Sequence, residues 1–540
     1  MPSYDFDFIV IGSGFGGSVS AHRLTEKGYR VGVLEMGKRW RPEDFPHSNW
    51  NLPRYLWLPR LGCHGSFRMT LFRHVFVLSG AAVGGGSLNY ANVLLVPSER
   101  VWTDPLWGGL KKWSEVMPAH YATAKRMLGV TRNKSLAAAD EQLRQAAGSQ
   151  GVGQTFYPTD VAIHFGTKGA SEPDPFFGGA GPERTGCELC GGCMVGCRSG
   201  GKNTLDKNYL YFAEKGGAVV IPETMVTSVT PLGSSGDGSG GYEIRAVNST
   251  GGPLKKERIF RSKGVVFSGG VLGTVPLLMA MREKGNLPKL SPALGEVVRT
   301  NSESIIGVRM PGKAGDMSEG VAIGSGIYVD DHTHIEATRY PAGSDALGLL
   351  MTLLAGGTPG LGRIVRWALS SLARPWSFLK AANPVGMARS TLILLVMQDH
   401  DSRIKLRLKR SLIPPFRKTA ATEGAPIPAF IPQANTFAER MANEAGGVPV
   451  TSLTEMFFKV PTTAHILGGA TMGKNAGEGV VDGEQRVFNY RNMYVCDGSV
   501  VSANLGVNPS LTITALAEHA MSHIKPAAET DWRAIGTPVS

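Results

Sequence analysis

The sequence predicts an α/β chain with more than one hydrophobic core, and three observations carry that expectation. The chain has 540 residues, and a single core stops growing beyond about 250–300 residues. It opens on a strand, a glycine turn, a helix and a second strand, all before residue 36. A glycine-rich turn at 80–92 and another strand–turn–helix pattern at 265–279 follow.

The first unit can be taken residue by residue. FDFIVI (6–11) reads as a short buried strand that runs into Gly12-Ser13-Gly14-Phe15-Gly16-Gly17. The stretch SVSAHRLTEKG then carries a helical pattern, and YRVGVLE ends a second strand at Glu35, 21 residues beyond Gly14. This is the size and order of a βαβ half. A glycine motif between strand and helix, with an acid about twenty residues on, is the Rossmann-type signature for a dinucleotide. Gly12 permits the tight turn, Gly14 lets the backbone approach a pyrophosphate, and Gly17 lets helix and strand pack. Phe15 opens the helix whose N-terminus attracts the phosphate charge. Glu35 is the expected acceptor for a ribose hydroxyl. Nothing in this unit separates FAD from NAD.

Composition excludes several classes. With 42% hydrophobic and 19% charged residues the chain is neither disordered nor a polytopic membrane protein. Its 70 glycines have no collagen-like period. The charge of +12 and pI near 9.4 permit an anionic surface as partner, but no Lys/Arg run concentrates them, which argues against nucleic acid. The N-terminus MPSYDFDFIVIG has acids where a signal peptide needs bases. No apolar stretch reaches the ~18 residues of a membrane span. The expectation is a cytoplasmic protein without a signal peptide.

The second turn, GAAVGGGSLNYAN, sets Gly80, Gly84, Gly85, Gly86, Ser87, Asn89 and Asn92 where backbone donors can lie bare. Together with GSGFGG and Glu35 it resembles the glucose–methanol–choline (GMC) family of FAD oxidoreductases. VVFSGGVLGTVPLLM (265–279) and NMYVCDGSVVSANLGVNPSLTITALAEHA (492–520) resemble that family's later flavin segments, in the family's order. The resemblance implies FAD as cofactor, with Asp497 and Gly498 at the pyrophosphate or ribityl chain and Asn508 and Pro509 beside the isoalloxazine. It also implies a Rossmann-type FAD-binding domain, from 1–97, 203–300 and 478–525, interleaved with an antiparallel-sheet substrate domain, from 98–202 and 301–477. Residues 526–540 read as a tail.

Oxidising an alcohol with a flavin needs a base for the hydroxyl proton and an acceptor for the hydride. By the resemblance, His465 in TTAHILGGATMG is the base or hydrogen-bond acceptor, and Asn508 holds the substrate oxygen. This His–Asn pair is the pattern of the cholesterol oxidase branch, although Ile466 stands where relatives often carry proline. In THIEATRYPAGSDALGLL (333–350), Glu336 matches a glutamate that isomerises steroids, and a carboxylate in an apolar pocket has the raised pKa such proton transfer needs. RTNSESI (299–305) and TGCELCGGCMVGCRSGGKNTL add to the likeness to the mycobacterial-type members of that branch.

Four of the six cysteines, Cys187, Cys190, Cys193 and Cys197, have the spacing C-x2-C-x2-C-x3-C. It matches the bacterial ferredoxin run, with Arg198 in place of the usual proline. Three readings stay open: a [4Fe-4S] or [3Fe-4S] iron–sulfur cluster, structural zinc, or packed thiols. Residues 361–380, LGRIVRWALSSLARPWSFLK, mix Arg, Trp and Leu at helical spacing and read either as a helix capping the core or as a peripheral membrane contact. The leading expectation is oxidation of the 3β-hydroxyl of a sterol to the ketone, with double-bond isomerisation and oxygen as acceptor. The alternative is a dehydrogenase for another hydrophobic alcohol that passes electrons through the cluster to a carrier. A non-catalytic protein on a flavin fold fits poorly with a retained His465 and Asn508.

Overall fold

The computed structural model describes residues 3–530 except 253–255, 358–359 and 411–417; of the expected tail 526–540, residues 531–540 lie outside the described residues. Two seven-stranded sheets organise the chain. In the first, Phe6–Ile11 pairs in parallel with Val31–Leu34 on one side and Glu257–Phe267 on the other. Its residues Phe8, Ile9 and Val10 are fully buried, as a central parallel strand covered on both faces requires. Val219–Ile221 extends the sheet in parallel beyond Val31–Leu34. The long strand Glu257–Phe267 is shared: its end pairs in parallel with Met493–Val495, and its start pairs antiparallel with Tyr242–Asn248, which turns back to Thr224–Pro231. Helices Phe15–Glu26, Val271–Glu283 and Ser510–Ser522 follow the glycine turns. Gly12 has φ +100°, and a Cβ there would lie 2.4 Å from the Ser268 carbonyl oxygen, so only glycine lets the first and third segments meet.

The second sheet is antiparallel throughout, in the order Met351–Leu353, Val448–Ser452, Ser304–Arg309, Thr391–Gln398, Thr333–Thr338, Ile323–Tyr328, Tyr157–Pro158. Its central strand, TLILLVMQ, is buried at every position. Alternation then sorts the faces. Ile306, Val308, Ile335, Ala337, Leu392 and Leu394 pack on helices Ala138–Ser149 and Pro432–Ala445. Ile305, Thr338, Ile393 and Leu395 point the other way, into a cavity between the two sheets. Among the described residues no helix is long and apolar enough to cross a membrane.

Candidate active site

The cavity measures about 590 Å³. At one end it meets the C-terminal edge of the parallel strands, at Ile11, Leu34, Ser268 and Asp497, the place where open α/β sheets bind ligands. Helix Phe15–Glu26 begins there with Gly14 as N-cap and no side chain capping its first turn, so its N–H groups remain for an anion. A Cβ placed on Gly14, Gly86 or Gly270 would meet nothing within 4 Å; the backbone lies bare toward the cavity at all three turns. Gly12, Phe15, Glu35, Gly80, Gly85, Asn89, Gly498 and Pro509 also line it.

Two buried carboxylates tie the turns together. Glu35 accepts from the Ser13 amide (3.0 Å) and hydroxyl (2.7 Å) with one oxygen and from the Gly37 amide (2.7 Å) with the other. Burial raises its pKa against those bonds. Asp497 accepts from Gly270 N (2.9 Å), Thr274 Oγ1 (2.6 Å) and Ser499 N (2.8 Å), which locks the 265–279 segment to the 492–520 segment. Bare turns, a helix N-terminus and an acid at the second strand's end are what a dinucleotide such as FAD requires.

Four expected cofactor residues do not face the cavity. Gly17 serves only packing, since a Cβ there would lie 2.1 Å from the Gly12 carbonyl oxygen. Gly84, at φ +93°, and Ser87 shape the turn: the Ser87 hydroxyl donates to the Gly84 carbonyl (2.6 Å) and accepts from the Leu205 amide (3.2 Å). Asn92 is fully buried with a left-handed backbone, φ 60°, while its neighbours Ala91 and Val93 line the wall.

His465 and Asn508 both line the cavity. Each has a carboxylate behind it. Glu303, fully buried, pairs with Nδ1 of His465 and accepts from the Ala464 amide at 2.7 Å. Burial pulls the His465 pKa down, but the charge and hydrogen bond of Glu303, helped by Glu336, outweigh it and leave the pKa raised. Glu336 accepts from Asn508 Nδ2 at 3.1 Å through one oxygen and has no partner on the other. It occupies the cavity face of its strand, two residues from Thr338, but stands behind Asn508 rather than on the wall. Burial drives its pKa up to about 7, against the Asn508 hydrogen bond and the His465 charge.

One turn supplies both halves. Asn301 and Ser302 are left-handed, φ 59° and 45°. The Asn301 side chain donates to the Val507 carbonyl (3.0 Å) and accepts from the Gly506 amide (2.8 Å), fixing the loop that carries Asn508. Two residues on, the same turn delivers Glu303 to His465. In RTNSESI nothing marks Glu303: a lone acid in a serine-rich stretch carries no spacing signal to a histidine 162 positions away.

The cavity is also walled by Met69, Ile305, Leu347, Met351, Met387 and Leu395, with Arg68, Thr338 and Tyr340 among its polar lining. The cysteine loop abuts it: Met194 lines the cavity, and Cys193 packs with Val93, Ile323 and Leu395. Burial and the other sulfurs push the Cys193 thiol up to about 11 and raise Cys187 and Cys190.

Comparison with known proteins agrees with this geometry. Residues 417–517 match the family model described as GMC oxidoreductase, and residues 10–40 match a NAD(P)-binding Rossmann-like domain. The chain is 54% identical over 532 residues to a cholesterol oxidase of Acinetobacter baumannii, covering 98% of this chain and 96% of that one. It is 46% identical over 543 residues to a cholesterol oxidase of Mycobacterium tuberculosis (strain ATCC 25618 / H37Rv), covering 98% and 93%. Its fold is similar to that of pyridoxine 4-oxidase from Mesorbium loti, with TM-score 0.59 at 15% identity over 96% of this chain and 98% of that one. With a cradle that fits FAD and full-length relatives at this identity, the chain is an FAD-dependent alcohol oxidase that belongs to the GMC oxidoreductase family.

Proposed function

We propose that this chain oxidises the 3β-hydroxyl of a sterol to the ketone and then shifts the double bond into conjugation. The observation that carries the reading is the 54% identity to a cholesterol oxidase along almost the whole chain; a cavity lined by many apolar side chains together with His465 and Asn508 fits it. Bound FAD supplies the hydride acceptor. Glu303 holds Nδ1 of His465, which fixes the ring and leaves Nε2 to take the hydroxyl proton. Asn508, turned by Glu336, offers the rest of its amide to the substrate oxygen. Glu336, with a pKa near 7, accepts the proton from carbon 4 and returns it to carbon 6, which requires Asn508 to turn aside. Dioxygen takes the electrons and leaves as hydrogen peroxide.

A sterol is drawn from a lipid surface, and the stretch 361–382 suits that surface. Two helices, Leu361–Ala373 and Pro375–Ala382, turn their apolar side outward: Leu361 is 82% exposed, Leu372 78% and Trp376 80%. The buried Arg363 faces inward and pairs with Glu455 at 2.9 Å. Arg366, Arg374 and Lys380 lie among the exposed apolar groups, an arrangement that favours an anionic bilayer. Incubation with cholesterol in air tests the function: a conjugated enone and hydrogen peroxide in equal amounts support it. Unchanged cholesterol, with another long-chain alcohol consumed instead, overturns it.

A further inference from the structure

The four-cysteine loop takes no part in the oxidation chemistry, yet it is built to a pattern. We propose that Cys187, Cys190, Cys193 and Cys197 hold one [4Fe-4S] cluster whose negative charge is balanced by the ammonium groups of Lys202 and Lys207. This goes beyond the sterol reading and does not depend on it.

All four sulfurs lie within electrostatic reach of one another, each pair coupled. A single loop thus offers four thiols to one point, where a two-cluster ferredoxin sends its fourth cysteine elsewhere. The spacing in space favours a cluster over a single ion. Zinc bonds of about 2.3 Å at tetrahedral angles leave sulfurs ~3.8 Å apart. Among the described residues, however, the only His, Cys or carboxylate set whose ligand atoms lie within 4.8 Å is His332, Asp399 and His400. No three of the four sulfurs lie that close together, which fits a multi-iron core better than one zinc ion.

The surroundings are those of bound thiolates. Leu189 takes a left-handed backbone, φ 58°, unusual for a branched apolar residue, and so donates its amide to Cys187 Sγ at 3.4 Å. The amides of Gly192 and Ala322 bond Cys190 and Cys193, and the Ser199 hydroxyl meets Cys197 Sγ at 3.7 Å. Hydrogen bonds to the sulfurs are how a protein tunes an iron–sulfur centre. Lys202 is fully buried. Its Nζ donates to the carbonyls of Leu88 (2.9 Å), Tyr90 (3.0 Å) and Cys193 (2.8 Å). Lys207 donates to the carbonyls of Gly200 (2.5 Å) and Lys202 (3.3 Å). Among the described residues neither forms an ion pair with a carboxylate; Asp206 acts on both from a distance but is one negative charge against two positive ones, and a buried cation without a contacting partner is costly. A [4Fe-4S] core with four thiolates carries about two negative charges in its oxidised state, which two ammoniums match.

The test is chemical analysis and EPR on the full chain purified under nitrogen. Wild type is expected to hold about four iron and four acid-labile sulfide per chain, with an EPR signal that appears on dithionite reduction. Cys190 is exposed, so Cys190→Ala folds; it should lose that signal and gain the oxidised-state signal of a three-iron cluster. Lys207→Gln should keep its iron and show a more negative midpoint potential. Zinc without iron, absence of both metals, or a wild-type signal in Cys190→Ala overturns the cluster. An unchanged potential in Lys207→Gln overturns the charge balance.

Discussion

Glu303 pairs with Nδ1 of His465 from a strand end 162 positions earlier in the chain, and that pairing sets the electrostatics of the site. The carboxylate leaves a histidine whose pKa is raised despite burial. A base must be neutral to accept a proton, so kcat/KM should rise with pH through a value above the usual 6.5 for histidine and then level. Glu303→Gln removes the charge and moves that midpoint to lower pH. An unmoved midpoint would show that His465 is not the titrating base.

His465→Ala should cost about 10²- to 10⁴-fold in kcat, the usual worth of a general base, while the visible flavin spectrum stays intact because the cradle at Gly14, Gly86 and Gly270 is untouched. Stopped-flow flavin reduction checks this.

Glu336→Gln separates the two chemical steps. Oxidation should survive within about tenfold, whereas the product should remain unconjugated, read by enone absorbance. In the wild type, isomerisation needs the carboxylate and should rise with pH through about 7. Stability follows with the opposite sign. The folded pKa is raised, so the stability tied to this group is present below the unfolded value and lost as pH climbs through about 7. At pH 8 Glu336→Gln should therefore melt higher than wild type, by an amount on the order of 3 kcal/mol at most.

Much of this was legible in the sequence because backbone geometry, not side-chain chemistry, writes the glycine turns. Gly12, Gly14 and Gly86 could be read because nothing larger fits or leaves the backbone bare. At Gly84, Ser87 and Asn92 spacing alone does not tell a residue that shapes a turn from one that lines the cavity. Glu303 was illegible because its partner comes from another strand. The pattern of 361–380 left open whether its helix caps the core or meets a membrane, because a period alone does not say which face packs inward; in the structure Arg363 turns inward to Glu455.

Asn301 couples both halves of the site. Asn301→Gly keeps the left-handed turn but loses the bonds to Gly506 and Val507. It should destabilise the chain by about 1–3 kcal/mol and lower kcat about 10- to 100-fold by loosening Asn508, measured by melting and steady-state rates together.

Leu369→Glu with Trp376→Glu alters only exposed groups. Rates on detergent-dispersed sterol should match wild type, while rates on anionic vesicles should fall and recover at no salt concentration. Equal rates on vesicles would remove the membrane role from these helices.

The most direct measurement is the visible spectrum of the purified holoenzyme, sealed from air, before and after cholesterol is added. Bleaching of the flavin bands by cholesterol, lost in His465→Ala, is the predicted result. Flavin bands that stay unchanged with cholesterol while another alcohol bleaches them would contradict the sterol assignment.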